Sequence, residues 1–135
     1  MSTQFAHQHD RMVEIADEIL RLARKGRTEA ASQLTRLRLS LSREVGAHCG
    51  AEVALINARQ GSTGEREAAL IRQYHDDLLK WRHDLIACNS EWPPKRVFEN
   101  PADFIRAFGG IAARLRERVR WEEEEFYPAV LERAA

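Results

Sequence analysis

The chain has 135 residues, of which 44% are hydrophobic and 31% are charged. That length and balance are typical of one globular domain, here residues 1–135, and argue against a disordered chain. Lys and Arg number 21, as do Asp and Glu, so bulk charge favours neither a nucleic-acid nor a membrane partner. No apolar run approaches the ~20 residues of a membrane span. We therefore expect a cytoplasmic protein without a disulfide framework, since only two cysteines are present.

The first half of the chain predicts two helices. The first covers residues 4–24 and ends at Gly26, because a basic last turn followed by glycine is a common helix terminator. The second covers residues 28–59 and takes Thr28 as its N-cap. Apolar residues recur at helical spacing in both segments, which indicates that one face of each helix is buried.

The second half of the chain predicts two more helices and the longest loop. Residues 62–88 open with the S-x-x-E spacing of a capping box and form the third helix. Residues 89–99, with two consecutive prolines, are predicted as a loop. The fourth helix, residues 100–133, begins with an N-cap asparagine and a first-turn proline. Pro128 should kink or loosen its last turns, because proline has no N–H to donate.

A histidine and a glutamate interrupt the core-facing row of the second helix. That row is Leu34, Leu37, Leu41, Val45, His48, Glu52 and Leu55, at steps of three and four residues. Burying an imidazole or a carboxylate without a partner costs several kcal/mol. Something in the interior must therefore satisfy His48 and Glu52.

The other three helices carry polar residues at matching levels. The core-facing row of the third helix is Ile71, His75, Leu78, either Trp81 or Arg82, and Leu85. His9 interrupts the row of the first helix, and Arg118 and Glu122 interrupt that of the fourth. Four helices with short turns predict an all-α, up-down-up-down antiparallel four-helix bundle. In that arrangement these polar residues meet inside one end of the bundle.

Inward-facing imidazoles and carboxylates form a ligand set suited to iron, manganese or zinc. The alternative is a polar core network in which glutamate pairs with arginine and the histidines bond to both. Burying so many titratable groups without a metal is costly, and the shared level of these residues favours the metal site.

The order of these motifs resembles the hemerythrin-like family of cation-binding four-helix domains. That family has a His on the first helix, H-x3-E on the second, a His on the third, and H-x3-E-E with a downstream proline on the fourth. The matching segments here are His9, His48 to Glu52, Tyr74 to Leu78, and Arg118 to Pro128. The resemblance implies a non-haem di-iron centre bridged by two carboxylates. It also implies a role in O2 binding, in redox or oxygen sensing, or in iron handling.

Two positions depart from the family pattern. Arg118 stands where the family has a histidine, and Leu79 stands where oxygen-carrying members have a second histidine on the third helix. A guanidinium stays protonated and donates only, so it is not a metal ligand. Arg118 is expected either to form a salt bridge with Glu122 or to place positive charge where a second metal would lie.

The resulting hypothesis is a reduced metal site, mononuclear or unevenly dinuclear. Its predicted ligands are His9, His48, Glu52, His75 and Glu122 or Glu123, holding iron, with zinc or manganese as alternatives. Tyr74 is expected to shield the site or to donate a hydrogen bond, and O2 is the candidate small-molecule partner. The alternative is a metal-free regulatory bundle that binds a protein partner or a second copy of itself. An enzymatic role is not favoured.

Overall fold

A computed structural model describes residues 3–59 and 64–132, and every regular element in these residues is helical. The elements are α1 (Thr3–Lys25), a 3-10 turn (Thr28–Ala30), α2 (Ala31–Ala58), α3 (Glu65–Glu91), α4 (Pro94–Glu99), α5 (Pro101–Trp121) and a π-helix (Glu122–Leu131). The predicted all-helical class is therefore confirmed. None of the helices in the described part of the chain is long and apolar enough to cross a membrane.

The first helix agrees with its prediction to within one residue at each end. Gly26 adopts φ 65°, a left-handed conformation that costs glycine little. Its N–H donates to the carbonyls of Leu22 and Ala23 at 3.3 and 3.2 Å. These bonds satisfy carbonyl groups at the helix end, which explains the stop at this point.

The predicted start of the second helix is wrong. Thr28 lies in the 3-10 turn rather than at an N-cap, and α2 begins only at Ala31. The backbone N–H of Ala31 bonds to the carbonyl of Thr28, so the tighter turn leads directly into the helix. The predicted capping box rests on Ser62, which lies outside the described residues. The helix that it should open does begin at Glu65.

The prediction of a loop over residues 89–99 is also wrong. The third helix continues to Glu91, and residues 94–99 form the short helix α4. Pro94 suits a first helical turn, where its missing N–H costs nothing. Arg96 donates to the carbonyl of Glu91 at 2.6 Å and lies 4.0 Å from the centroid of the Trp92 ring. These contacts order a segment whose prolines had suggested a loop.

Helix α1 packs against α2 and α5, and α3 packs against α5 and the π-helix. Around α4, aromatic rings fill the core: Phe104 lies 5.8 Å from Trp92 and 5.6 Å from Phe108 between ring centroids. Fully burying a phenylalanine contributes about 1.5–3 kcal/mol. This apolar region anchors the helices, while polar side chains concentrate around the π-helix.

Two core-facing rows differ in detail from their predictions. Ile56 rather than Leu55 closes the row of α2, with exposed fractions of 0% and 43%. On α3 the core positions belong to Tyr74 and Trp81, whereas His75 is only half-buried. Neighbouring residues on a helix lie about 100° apart, so a rotation of the helix by one residue exchanges them.

The expected loosening near Pro128 takes the form of the π-helix. The N–H of Glu132 donates to the carbonyl of Tyr127 at 2.8 Å, a bond across five residues. In this wider turn, residues five apart share a face. Glu122 and Tyr127 therefore both point into the core, although an α-helix would separate them by about 140°.

Candidate metal centre

Four buried side chains from three helical elements meet at one point. They are His9 on α1, His48 and Glu52 on α2, and Glu122 at the start of the π-helix. Their potential ligand atoms all lie within 4.8 Å of one another. Each residue is at most 3% exposed, so water does not solvate these groups. The sequence predicted all four as site residues.

The inward-facing atoms are close enough to touch. Nε2 of His9 and Nε2 of His48 lie 2.9 Å apart. Oε1 of Glu122 lies 3.2 Å from the first nitrogen and 3.4 Å from the second. Oε1 of Glu52 lies 3.2 Å from Nε2 of His48. Each histidine thus presents Nε2 to the centre and Nδ1 to the outside.

Oxygen acceptors hold the outward nitrogens of both histidines. Nδ1 of His9 lies 2.8 Å from Oε2 of Glu123, and Nδ1 of His48 lies 2.6 Å from Oε1 of Gln8. Each Nδ1 must therefore carry the proton and donate it. A neutral imidazole protonated at Nδ1 has a bare lone pair at Nε2. This is the tautomer in which Nε2 binds a metal.

With both histidines neutral, the centre has more acceptors than donors. Two Nε2 lone pairs and the carboxylate oxygens of Glu52 and Glu122 converge on it. The Tyr127 hydroxyl contacts both carboxylates but has one proton to donate. Lone pairs 2.9 Å apart in a low-dielectric interior repel unless a proton or a cation lies between them. The donor set therefore fits a metal cation.

The electrostatics of the metal-free side chains also favour positive charge at the centre. Burial opposes a charge on His48. The hydrogen bonds and negative charges of Glu122 and Glu52 outweigh this effect and raise the pKa of His48 to about 9. Burial raises the pKa of Glu52. Burial also disfavours ionised Glu122, but hydrogen bonding with His48, His9 and Glu52 and the charge of Arg118 outweigh it and lower the pKa of Glu122. The centre attracts positive charge.

Arg118 forms the predicted salt bridge, with Nη2 donating to Oε2 of Glu122 at 3.1 Å. The bond holds the outer oxygen of Glu122 and leaves Oε1 for the centre. Among the described residues, Nη1 of Arg118 is the buried side-chain nitrogen that has no hydrogen-bond partner. The guanidinium carbon also lies 5.4 Å from the centroid of the Tyr74 ring.

The remaining predicted site residues surround the group of four. Tyr74 donates to Oε1 of Glu52 at 2.9 Å, which is one of its two expected roles. Glu123 lies behind His9 instead of facing the centre. His75 is not brought into the group; its ring is half-buried against that of Tyr74, with centroids 5.2 Å apart. The predicted third-helix ligand position is therefore occupied by Tyr74.

Cys49 adjoins His48 in sequence, but it is not one of the four converging residues. Burial, together with the negative charge of Glu52, raises the pKa of the Cys49 thiol to about 12. The four converging residues offer nitrogen and oxygen atoms rather than sulfur.

The four residues line a small internal cavity of about 20 Å³. A space of roughly 10–15 Å³ is enough for one water-sized body, so the cavity fits one ion better than two. A surface groove of about 310 Å³ between α3 and α5 adjoins it, and Trp81 and Arg118 line both spaces. Trp81 and Arg118 therefore lie between this groove and the buried centre.

Comparisons with family models, with curated proteins and with solved structures found no match to this chain.

Sequence reasoning missed two side chains that the site uses, Gln8 and Tyr127. Gln8 lies next to a predicted ligand and carried no distinguishing pattern. Tyr127 is five residues after Glu122, a spacing that places both on one face only in a π-helix. The proline at position 128 was the available signal, because it removes an N–H from the α-helical ladder.

Proposed function

We propose that this protein binds one non-haem transition-metal ion through His9, His48, Glu52 and Glu122, and that the ion is iron. The observation that carries the proposal is the pair of Nε2 atoms 2.9 Å apart, each belonging to a ring whose Nδ1 faces an acceptor. Two imidazoles and two carboxylates are a ligand set suited to iron, with zinc or manganese as alternatives.

We propose a hemerythrin-like, up-down-up-down arrangement for the bundle that holds this ion. Contacts between α2 and α3 support opposite directions: Arg38 meets Asn89, whereas Glu52 meets Tyr74. His9 meets Glu122 and Asp17 meets Arg116, which supports opposite directions for α1 and α5. The single small cavity favours one ion over the di-iron centre that the family resemblance implies.

The chain's own residues would determine how the ion behaves. Glu123 and Gln8 fix the tautomers of the two histidines, and Arg118 orients Glu122 while partly balancing its charge. Burial excludes bulk water, so external ligands would reach the ion from the groove beside Trp81 and Arg118. Iron bound here would supply redox chemistry and affinity for small ligands such as O2. The biological role proposed is oxygen or redox sensing, or iron handling.

The test is metal content per chain, measured on untagged protein purified without air or chelator, together with thermal unfolding before and after chelation. We expect one metal ion per chain and a lower Tm once it is removed, since ligand binding to the folded state alone stabilises that state. His48→Leu should abolish binding. His75→Leu is the matched control and should retain the metal. Metal content that stays well below one per chain after reconstitution would contradict the proposal.

A metal-free role remains the second candidate function. The observation favouring it is the raised pKa of His48, about 9, because a protonated His48 supplies the positive charge that Glu52 and Glu122 require. In that case the bundle is a regulatory module that binds a protein. Its stability would then be indifferent to chelators and to added iron, an outcome that the same experiment reports.

A further inference from the structure

The hydroxyl of Tyr127 lies among the ligand atoms rather than behind them. It is 3.1 Å from Nε2 of His9, 3.4 Å from Nε2 of His48 and 2.8 Å from Oε1 of Glu122, and it also contacts Oε2 of Glu52. Tyr127 is 1% exposed. A hydroxyl that served as an outer hydrogen-bond partner would touch one ligand; this one touches all four.

The spacing of four of these atoms is close to the edges of a coordination tetrahedron. With metal–ligand bonds of about 2.1 Å, adjacent ligands lie about 3.4 Å apart in a tetrahedron. The separations of the histidine nitrogens, Oε1 of Glu122 and the Tyr127 hydroxyl run from 2.8 to 3.4 Å. These four atoms are therefore placed to share one ion, and the carboxylate of Glu52 contacts the Tyr127 hydroxyl beside them.

The local backbone explains how Tyr127 reaches this position. Ten residues of π-helix carry both Glu122 and Tyr127, one wide turn apart. The Tyr127 ring also stacks on that of His9, at 10° between planes and 5.7 Å between centroids. Phe5 supports the ring from another side at 5.3 Å. These contacts hold the phenol oxygen in place before any ion arrives.

We propose that Tyr127 is a fifth ligand whose oxygen bonds directly to the metal, and that the resulting set selects trivalent iron. The inference rests on the proposed function. On binding, the O–H bond of Tyr127 breaks, its proton is released to solvent, and the phenolate oxygen donates its electron pair to Fe3+. No electron is transferred. Phenolate, Glu52 and Glu122 together carry three negative charges, of which Arg118 partly offsets one. Hard oxygen donors favour Fe3+ over Zn2+.

The test is the visible absorption spectrum of the full chain loaded with Fe3+. Phenolate bound to Fe3+ gives a charge-transfer band that carboxylates and imidazoles do not give. We expect the band in the unmodified protein and its complete loss in Tyr127→Phe. The matched control is Tyr74→Phe, because Tyr74 is also buried and bonds to Glu52 but does not reach the histidines. The chain has two tyrosines, so these variants cover every phenol.

The outcomes separate this inference from the proposed function. Iron bound at one per chain without a visible band, or a band that survives in Tyr127→Phe, overturns the fifth ligand and leaves the four-residue site standing. Failure of the unmodified protein to bind any metal overturns both. If Tyr127→Phe does not fold, resonance Raman spectroscopy of Tyr74→Phe decides the question, because Tyr127 is the remaining phenol in that variant. Phenolate ring modes that shift with ring-deuterated tyrosine support the inference, and their absence overturns it.

Discussion

Helix α2 carries two buried polar groups, one around Arg38 and one around His48. They differ in whether every donor meets an acceptor. Arg38 donates from Nη1 to the carbonyl of Trp92 at 2.6 Å, and from Nη2 and Nε to the carbonyl and side-chain oxygen of Asn89 at 3.1 and 3.2 Å. Its guanidinium carbon lies 5.6 Å from the centroid of the Phe104 ring. Each nitrogen of this group meets an acceptor, and the chain itself supplies every partner.

Further along the same helix, His48 and Glu52 belong to a group in which acceptors face acceptors. Its nearest pair is two histidine nitrogens 2.9 Å apart. Both groups are buried and both contain charge, so burial does not distinguish them. The difference lies in the count of donors and acceptors. The Arg38 group is complete as it stands, whereas the His48 group needs positive charge at its centre, either a metal ion or the proton that His48 takes up.

The largest expected effect comes from changing the two carboxylates of the His48 group. The double variant Glu52→Gln and Glu122→Gln keeps side-chain shape but removes both anionic ligands, so metal content should fall from one per chain to none. Without metal, the variant should lose about 3 kcal/mol in free energy of unfolding, because the guanidinium of Arg118 and the protonated His48 lose their buried anionic partners. Metal analysis and urea unfolding with chelator measure the two effects.

The control for that variant is Glu124→Gln, an exposed acid on the same π-helix. It should leave both metal content and stability unchanged. A double variant that still holds one metal per chain would show that other residues bind the ion.

The second prediction tests the complete group. Arg38→Ala should lower the free energy of unfolding by about 4 kcal/mol, because it leaves buried acceptors at Trp92 and Asn89 unpaired. Metal binding should persist in the folded fraction. Urea unfolding with and without chelator measures this, and Arg36→Ala, on the exposed side of α2, is the control. A loss of stability that metal restores in full would mean that the two groups are coupled.

The third prediction concerns the pH dependence of the metal-free protein. The folded-state pKa of His48, about 9, lies above its ordinary 6.5. Its stabilising contribution is therefore fully present below pH 6.5 and is lost as pH rises to 9, a total of about 3 kcal/mol. Urea unfolding across that range in chelator should show the decline. His48→Gln should flatten it, and an unchanged slope in that variant would assign the decline to other groups.

Much of the fold and of the group around His48 could be predicted from the sequence. The three- and four-residue spacing of Leu41, Val45, His48 and Glu52 placed two polar side chains in a buried row, and all four are buried. The all-helical class followed from the same periodicity. Arg118 was expected either to pair with Glu122 or to place positive charge at a second metal position, and it forms the pair. Such features depend on local spacing, which a sequence displays directly.

The parts that were not predicted depend on rotations that the sequence does not display. On α3 a rotation of one residue decides whether Tyr74 or His75 faces the core, and both are compatible with the neighbouring apolar residues. Tyr127 depends on the change from α- to π-helix after Trp121, which alters the spacing rule itself. Pro128 indicated a disturbance but not its geometry, so the phenol at the centre was overlooked.

The smallest expected effect comes from changing Glu123, which bonds to the proposed ligand His9 but is not itself a proposed ligand. Oε2 of Glu123 accepts from Nδ1 of His9 at 2.8 Å, and so sets which nitrogen of that ring faces the centre. Glu123→Gln keeps an acceptor but removes its charge, so metal affinity should fall about tenfold; Glu123→Ala removes the acceptor, and the fall should approach 100-fold.

Competition with a chelator of known affinity measures both losses, and Glu125→Gln, an exposed neighbour, is the control. Stoichiometry should remain one metal per chain throughout, which distinguishes a weakened site from a lost one. Equal losses in the Gln and Ala variants would mean that charge alone matters. No loss in either variant would mean that His9 keeps its tautomer without Glu123. The hydrogen bond with Glu123 would then no longer show that Nε2 of His9 lacks a proton.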